Sequence, residues 1–217
     1  MTIRHHLSDT LLMNYASGSL SEAFNLFAAT HLSMCDACRA QVEAFEALGG
    51  TVIDQVDVAG MADNDIETAV DRITSTAPPS RSPPRPAARH RGAVPTPLAD
   101  YIGGGLDQVK WRAMALGVRQ SILPTAKGAS ARLLRIPAGR EMPVHGHNGT
   151  ELTMVLRGAF LDDGRRYSPG DVEISDQATE HAPVADVGED CICLVASDAT
   201  LKFSGLLPRL AQKFFRI

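Results

Sequence analysis

Basic side chains are almost missing from the first third of this 217-residue chain: residues 1–76 carry only Arg4, Arg39 and Arg72 against eleven acidic groups, a net charge of −8. Such a segment repels phosphate, which excludes a direct nucleic-acid-binding role and steers the segment toward a basic protein partner. Long apolar runs are missing as well. The opening Met1-Thr2-Ile3-Arg4-His5-His6 has no apolar stretch of signal-peptide length, and nothing further on reaches the length of a membrane span. The expectation is a cytoplasmic protein without membrane contact. Cysteine is scarce: four residues in two close pairs, Cys35/Cys38 and Cys191/Cys193. In a reducing compartment such pairs suit metal ligation or redox-sensitive thiols better than structural disulfides. No internal repeat is evident.

What is present divides the chain in two. Residues 77–98 hold seven of the thirteen prolines, four arginines and no acidic residue. This stretch has almost nothing to bury and reads as an extended, semi-rigid linker; a proline-rich protein ligand is the alternative, but the flanking pattern for one is absent. Residues 1–76 form one expected domain and residues 99–217, with balanced charge, the other.

The first domain reads as all-α. Ser8 can cap a helix carrying Leu11, Leu12 and Tyr15 that stops near Gly18. Ser19 and Glu22 have capping-box spacing, and Leu20, Phe24, Phe27 and His31 recur at helical intervals. A third helix is expected from about Asp36 to Leu48, with Gly49-Gly50 as its stop. Ile66, Val70 and Ile73 then make a narrow apolar stripe on an acidic helix, suited to a weak surface helix or to one that docks on a partner. The second domain reads as all-β: Trp111–Ile122, Ala131–Ile136, Glu151–Leu156, Asp171–Ser175 and Cys191–Ala196 are alternating or β-branched runs separated by turn residues. Short strands at that spacing predict a closed or double-sheet barrel. Residues 206–217 read as a short helix or tail.

Two constellations carry chemistry. His31, Cys35 and Cys38 form the pattern H-x3-C-x2-C, whose steps of four and three place side chains together on a helix or around a bend. Two thiolates and an imidazole suit tetrahedral zinc, and a structural site asks for a fourth protein ligand. His6 is expected to supply it, with His5 as the fallback. Buried cysteines beside a surface histidine are the plain alternative; a thioredoxin-like redox pair is weaker, because no strand precedes Cys35. In the second domain, Gly139, His145, His147, Glu151 and Gly158 stand at fixed spacing. On a strand, residues two apart share a face, so His145 and His147 point together, Glu151 can fold back after Asn148-Gly149, and His181 is the natural fourth ligand. Mixed imidazole and carboxylate ligands accept zinc, iron, manganese or nickel.

His6, His31, Cys35 and Cys38 on short acidic helices resemble the zinc-binding anti-sigma domain. That resemblance implies binding to a sigma factor of the extracytoplasmic-function group, with helices inserted between the two sigma domains and the Ile66–Ile73 helix as a separate contact arm. Over roughly residues 105–200 the chain is similar to the cupin superfamily, matching its first motif residue for residue. In the second motif Asp176 and Ala178 replace the usual proline and glycine before His181. The resemblance implies a small double-sheet β-barrel, or jelly roll, with His145, His147, Glu151 and His181 on a metal. Two-domain regulators of the ChrR type join these modules in this order, which implies zinc at both sites and release of the sigma factor in response to singlet oxygen or related oxidants. Cys191-Ile192-Cys193 is either a part of that chemistry or core packing. The alternative function is a metal-dependent cupin enzyme, dioxygenase- or isomerase-like, with an accessory zinc-binding interaction domain; Glu141, Arg157 and Tyr167 would then be candidates.

Overall fold

The computed structural model describes residues 2–76 and 94–203; residues 77–93 of the expected linker and the tail at 206–217 lie outside them. Four helices form the first part: α1 (Asp9–Ala16), α2 (Glu22–Leu32), α3 (Asp36–Asp54) and α4 (Asp65–Ser75). Ser8 caps α1 by accepting from the Leu11 amide, as its position predicts. The capping box at Ser19 does not form. Ser21 is the N-cap of α2 and Glu22 its first residue, so the Glu22 carboxylate turns outward and accepts from the Tyr101 hydroxyl and the Ala126 amide. Nor does α3 stop at Gly49-Gly50. Both glycines sit in open space on an exposed flank, where each costs about 1 kcal/mol relative to alanine but clashes with nothing, so the helix runs through to Asp54.

A fifth helix, α5 (Thr96–Ile102), begins inside the expected linker, with Pro97 in its first turn. Val94, Leu98 and Ala99 are buried, so the packed part of the molecule starts earlier than composition alone suggests. Twelve short strands follow among the described residues: β1 (Arg112–Ala113), β2 (Arg119–Leu123), β3 (Ser130–Ile136), β4 (His145–His147), β5 (Glu151–Arg157), β6 (Phe160–Asp162), β7 (Arg165–Tyr167), β8 (Val172–Ser175), β9 (Glu180–His181), β10 (Val184–Ala185), β11 (Cys191–Ser197) and β12 (Leu201–Phe203). The run Trp111–Ile122 is a bent pair rather than one strand, because Leu116 (φ 61°) and Gly117 (φ 79°) turn the backbone back between β1 and β2.

The strands make a six-stranded antiparallel sheet in the order β1-β2-β3-β11-β5-β8 and two three-stranded sheets, β10-β6-β7 and β12-β4-β9. Alternation along β3, β5 and β11 separates two faces. One face of the large sheet turns inward with Ile136, Val155, Cys191, Cys193 and Val195. The other carries Ala131, Leu133, Leu152, Met154 and Leu194 and packs against Phe24, Phe27, Ala28 and Leu32 of α2. The helices and the barrel therefore share one core. By contrast Leu48, Val52, Ile53 and Val56 at the end of α3, and Ile66, Val70 and Ile73 on α4, remain exposed.

Candidate metal centres

The first centre forms where three segments meet. His31 ends α2, Cys35 is the N-cap of α3, Cys38 lies in its first turn, and the segment before α1 returns His6 to them. His6 Nδ1 lies 3.3 Å from Cys35 Sγ and 3.5 Å from Cys38 Sγ, and His31 Nε2 is 3.2 Å from Cys38 Sγ. Tetrahedral zinc with bonds of about 2.0–2.3 Å sets its ligand atoms roughly 3.3–3.8 Å apart, so this donor set fits such an ion closely. Burial prepares the ligands unequally. It pushes the His31 imidazole down to about 4, leaving it neutral and able to bind, whereas it pushes the Cys38 thiol up to about 11, so metal must displace that proton. His5, the fallback ligand, is turned away: its ring packs on Tyr167 at 4.5 Å, and its Nδ1 lies 3.5 Å from Asp171.

The second centre lies in the barrel. Cross-strand pairing sets His145 opposite His181, and His147 follows two residues on along β4. The ring nitrogens of His145, His147 and His181 come together, with His147 Nε2 and His181 Nε2 3.1 Å apart. His145 Nδ1 donates to the Pro143 carbonyl at 2.8 Å, and His181 Nδ1 donates to Asp162 Oδ2 at 2.8 Å, which turns the Nε2 atoms toward one another. His147 is held neutral by burial and by its two histidine neighbours, its imidazole pushed down to about 4. Three imidazoles converging in this way fit a divalent metal.

Glu151, the expected carboxylate ligand, stands farther off. It lines the same cavity but lies outside the tight histidine group. Burial raises its carboxyl to about 7, opposed by the nearby Arg132 guanidinium. The carboxylates that stand against the histidines are instead Asp162 and Glu173: Glu173 Oε2 is 3.9 Å from His181 Nδ1, and burial and its hydrogen bond to Asp162 hold its own proton up to about 9. Neither stands out in the sequence. Asp162 belongs to an Asp-Asp-Gly turn signal, and Glu173 is a lone inward acid in an otherwise ordinary strand.

The two motif glycines are needed for shape. Gly139 has φ +68°, and Gly158 has φ +72° with the Asp190 carbonyl 2.6 Å from where a Cβ would stand. His145 and His181 open onto a cavity of about 440 Å³ lined mainly by apolar side chains such as Met114, Leu134, Met142, Phe160 and Leu201. Cys191 and Cys193 are buried with sulfurs 3.5 Å apart, and Cys193 reaches the cavity wall. The residues an enzyme reading would use are elsewhere. Glu141 is exposed, Arg157 pairs with Glu189 at 2.8 Å, and Tyr167 stacks on Phe160 at 4.7 Å.

A helical Cys/His cluster seated on a histidine-bearing barrel defines a two-part protein with two donor groups that could hold metal ions. Residues 102–200 match the family model of the ChrR cupin-like domain. The whole chain is 50% identical over 217 residues to the anti-sigma-E factor ChrR of Cereibacter sphaeroides, covering all of both proteins. In three dimensions it is similar to the anti-sigma ChrR in the crystal structure of Rhodobacter sphaeroides SigE in complex with it, with a TM-score of 0.76 and 47% identity, covering 91% of this chain and all of the other. The chain belongs to the ChrR family of anti-sigma factors.

Proposed function

We propose that the chain binds and inhibits a sigma factor of the extracytoplasmic-function group, keeping it from RNA polymerase, and releases it when the cupin half meets singlet oxygen or a related oxidant. The observation that carries this reading is the alignment of 91% of the chain with an anti-sigma factor solved on its sigma factor. Two features of the chain itself support it. The first 76 residues have a net charge of −8, suited to the basic surface a sigma factor turns to DNA. The apolar stripe Ile66, Val70 and Ile73 is exposed on α4 and free to dock on a partner. Zinc fits the two-thiolate, two-imidazole centre and holds the helical module; the three-histidine centre accepts zinc or another divalent ion. No helix among the described residues is long and apolar enough to cross a membrane, in keeping with action in the cytoplasm on a cytoplasmic target. Imidazoles and the Cys193 thiol at the cavity supply oxidisable groups.

Mixing the purified zinc-loaded chain with its sigma factor should give a stable complex that no longer binds RNA polymerase, and singlet oxygen should dissociate it. With His145→Ala and His147→Ala together, the complex should form but survive the oxidant. Failure to form a complex with zinc bound would overturn the anti-sigma reading; an unchanged oxidant response in the double variant would overturn the sensor reading.

A further inference from the structure

The helical metal centre is finished by the barrel. His31 Nδ1 donates to the carbonyl of Gly170 at 3.0 Å in a fully buried contact, which fixes the ring and aims Nε2 at Cys38. Histidine ligands are commonly oriented this way, and losing such a partner weakens metal affinity by about 10–100-fold. The next residue, Asp171, is 2% exposed; its Oδ1 accepts the backbone amides of Arg4 at 2.6 Å and His5 at 3.0 Å, and its Oδ2 accepts from Ser168 at 2.8 Å. The Val172 amide donates to the His5 carbonyl at 3.1 Å, tying down the segment that delivers His6. Gly170 also lies under Ile3 and Met34: a Cβ there would meet Ile3 Cδ1 at 2.6 Å and Met34 Cε at 3.4 Å. One turn between β7 and β8 thus holds one ligand directly and the residue next to another.

The same strand continues into the second centre. Two residues past Asp171, Glu173 stands beside Asp162 with its Oε2 3.9 Å from His181 Nδ1, and Asp162 in turn accepts from His181 at 2.8 Å. Gly170 and Glu173, three residues apart, thus reach the surroundings of the two donor groups. We propose that Asp171, with the Gly170 carbonyl, is the positioning residue for the helical metal centre, and that β8 makes the hold on that metal depend on the metal in the barrel. The inference rests on the metal reading of both centres. Coupling of this kind is reciprocal, so each metal strengthens the binding of the other.

The test uses the intact chain with both centres loaded and follows transfer of the thiolate-bound metal to a chromogenic chelator, together with alkylation of Cys35 and Cys38. Asp171→Ala should speed both by about tenfold or more while the barrel retains its metal. Asp171→Asn, which keeps an oxygen for the Arg4 and His5 amides, should recover most of the loss. Emptying the barrel by His147→Ala in the otherwise unaltered chain should also speed both, and this arm reads the coupling even where Asp171→Ala fails to fold. Unchanged rates in Asp171→Ala, or rates indifferent to the barrel metal, would overturn the inference while leaving the metal assignment intact. A chain that holds no thiolate-bound metal at all would overturn the metal reading, and this inference with it.

Discussion

Cys38 is the residue on which the helical module most depends. It touches both histidines of the first centre, and its buried thiol resists ionisation unless a cation replaces the proton. Cys38→Ser should therefore abolish metal binding at that centre. Structural zinc supplies on the order of 10 kcal/mol of folding free energy, and the variant should show fewer helical signals by circular dichroism and a loss of one metal equivalent. Glu173 makes a different prediction, for metal-free protein. Its folded-state carboxyl holds a proton up to about 9, against the ordinary 4.5 of a glutamate in the unfolded chain. The folded state thus binds more protons across that interval, and this contribution to stability is lost as pH rises. Between pH 7 and 9 unfolded histidines are already neutral, so the melting temperature of the metal-free chain should fall over that range and fall less in Glu173→Gln.

At the scale of elements, the helices that pack and the helices that do not are separable in the sequence. Phe24, Phe27 and His31 recur on one face of α2, and that face is buried; Ile66, Val70 and Ile73 recur on α4 among mostly polar and acidic neighbours, and that face is exposed. Replacing these three by serine should change stability by less than about 0.5 kcal/mol each, as surface substitutions do, yet weaken sigma binding measurably in titration. The strands bearing Ala131–Ile136, Glu151–Leu156 and Cys191–Ala196 were readable from alternation, and the paired histidines from their spacing. Other elements were not. The pieces β6, β7, β9, β10 and β12 are two or three residues long, too short for a period to register, and α5 lies behind prolines that mimic a linker. Glu151 reaches the cavity that its spacing predicts, whereas Asp162 and Glu173 leave no signal in the sequence because their partner, His181, lies across the barrel.

At the scale of the whole molecule, the division into two parts that the linker suggests is chemical rather than mechanical. Phe27 is fully buried in the core shared by α2 and the large sheet. Phe27→Ala should cost about 3–5 kcal/mol, and because the core is common, denaturant should unfold helices and barrel in one transition that shifts as a unit. The contacts that residues 170–173 make around both donor groups give this shared body a consequence for function: a disturbance at one centre has a short physical path to the other. Elemental analysis of the purified intact chain tests the central claim most directly. The account predicts two metal equivalents per chain, one removed by Cys35→Ser with Cys38→Ser and the other by His145→Ala with His147→Ala. A single equivalent, or two that survive both pairs of substitutions, would contradict it.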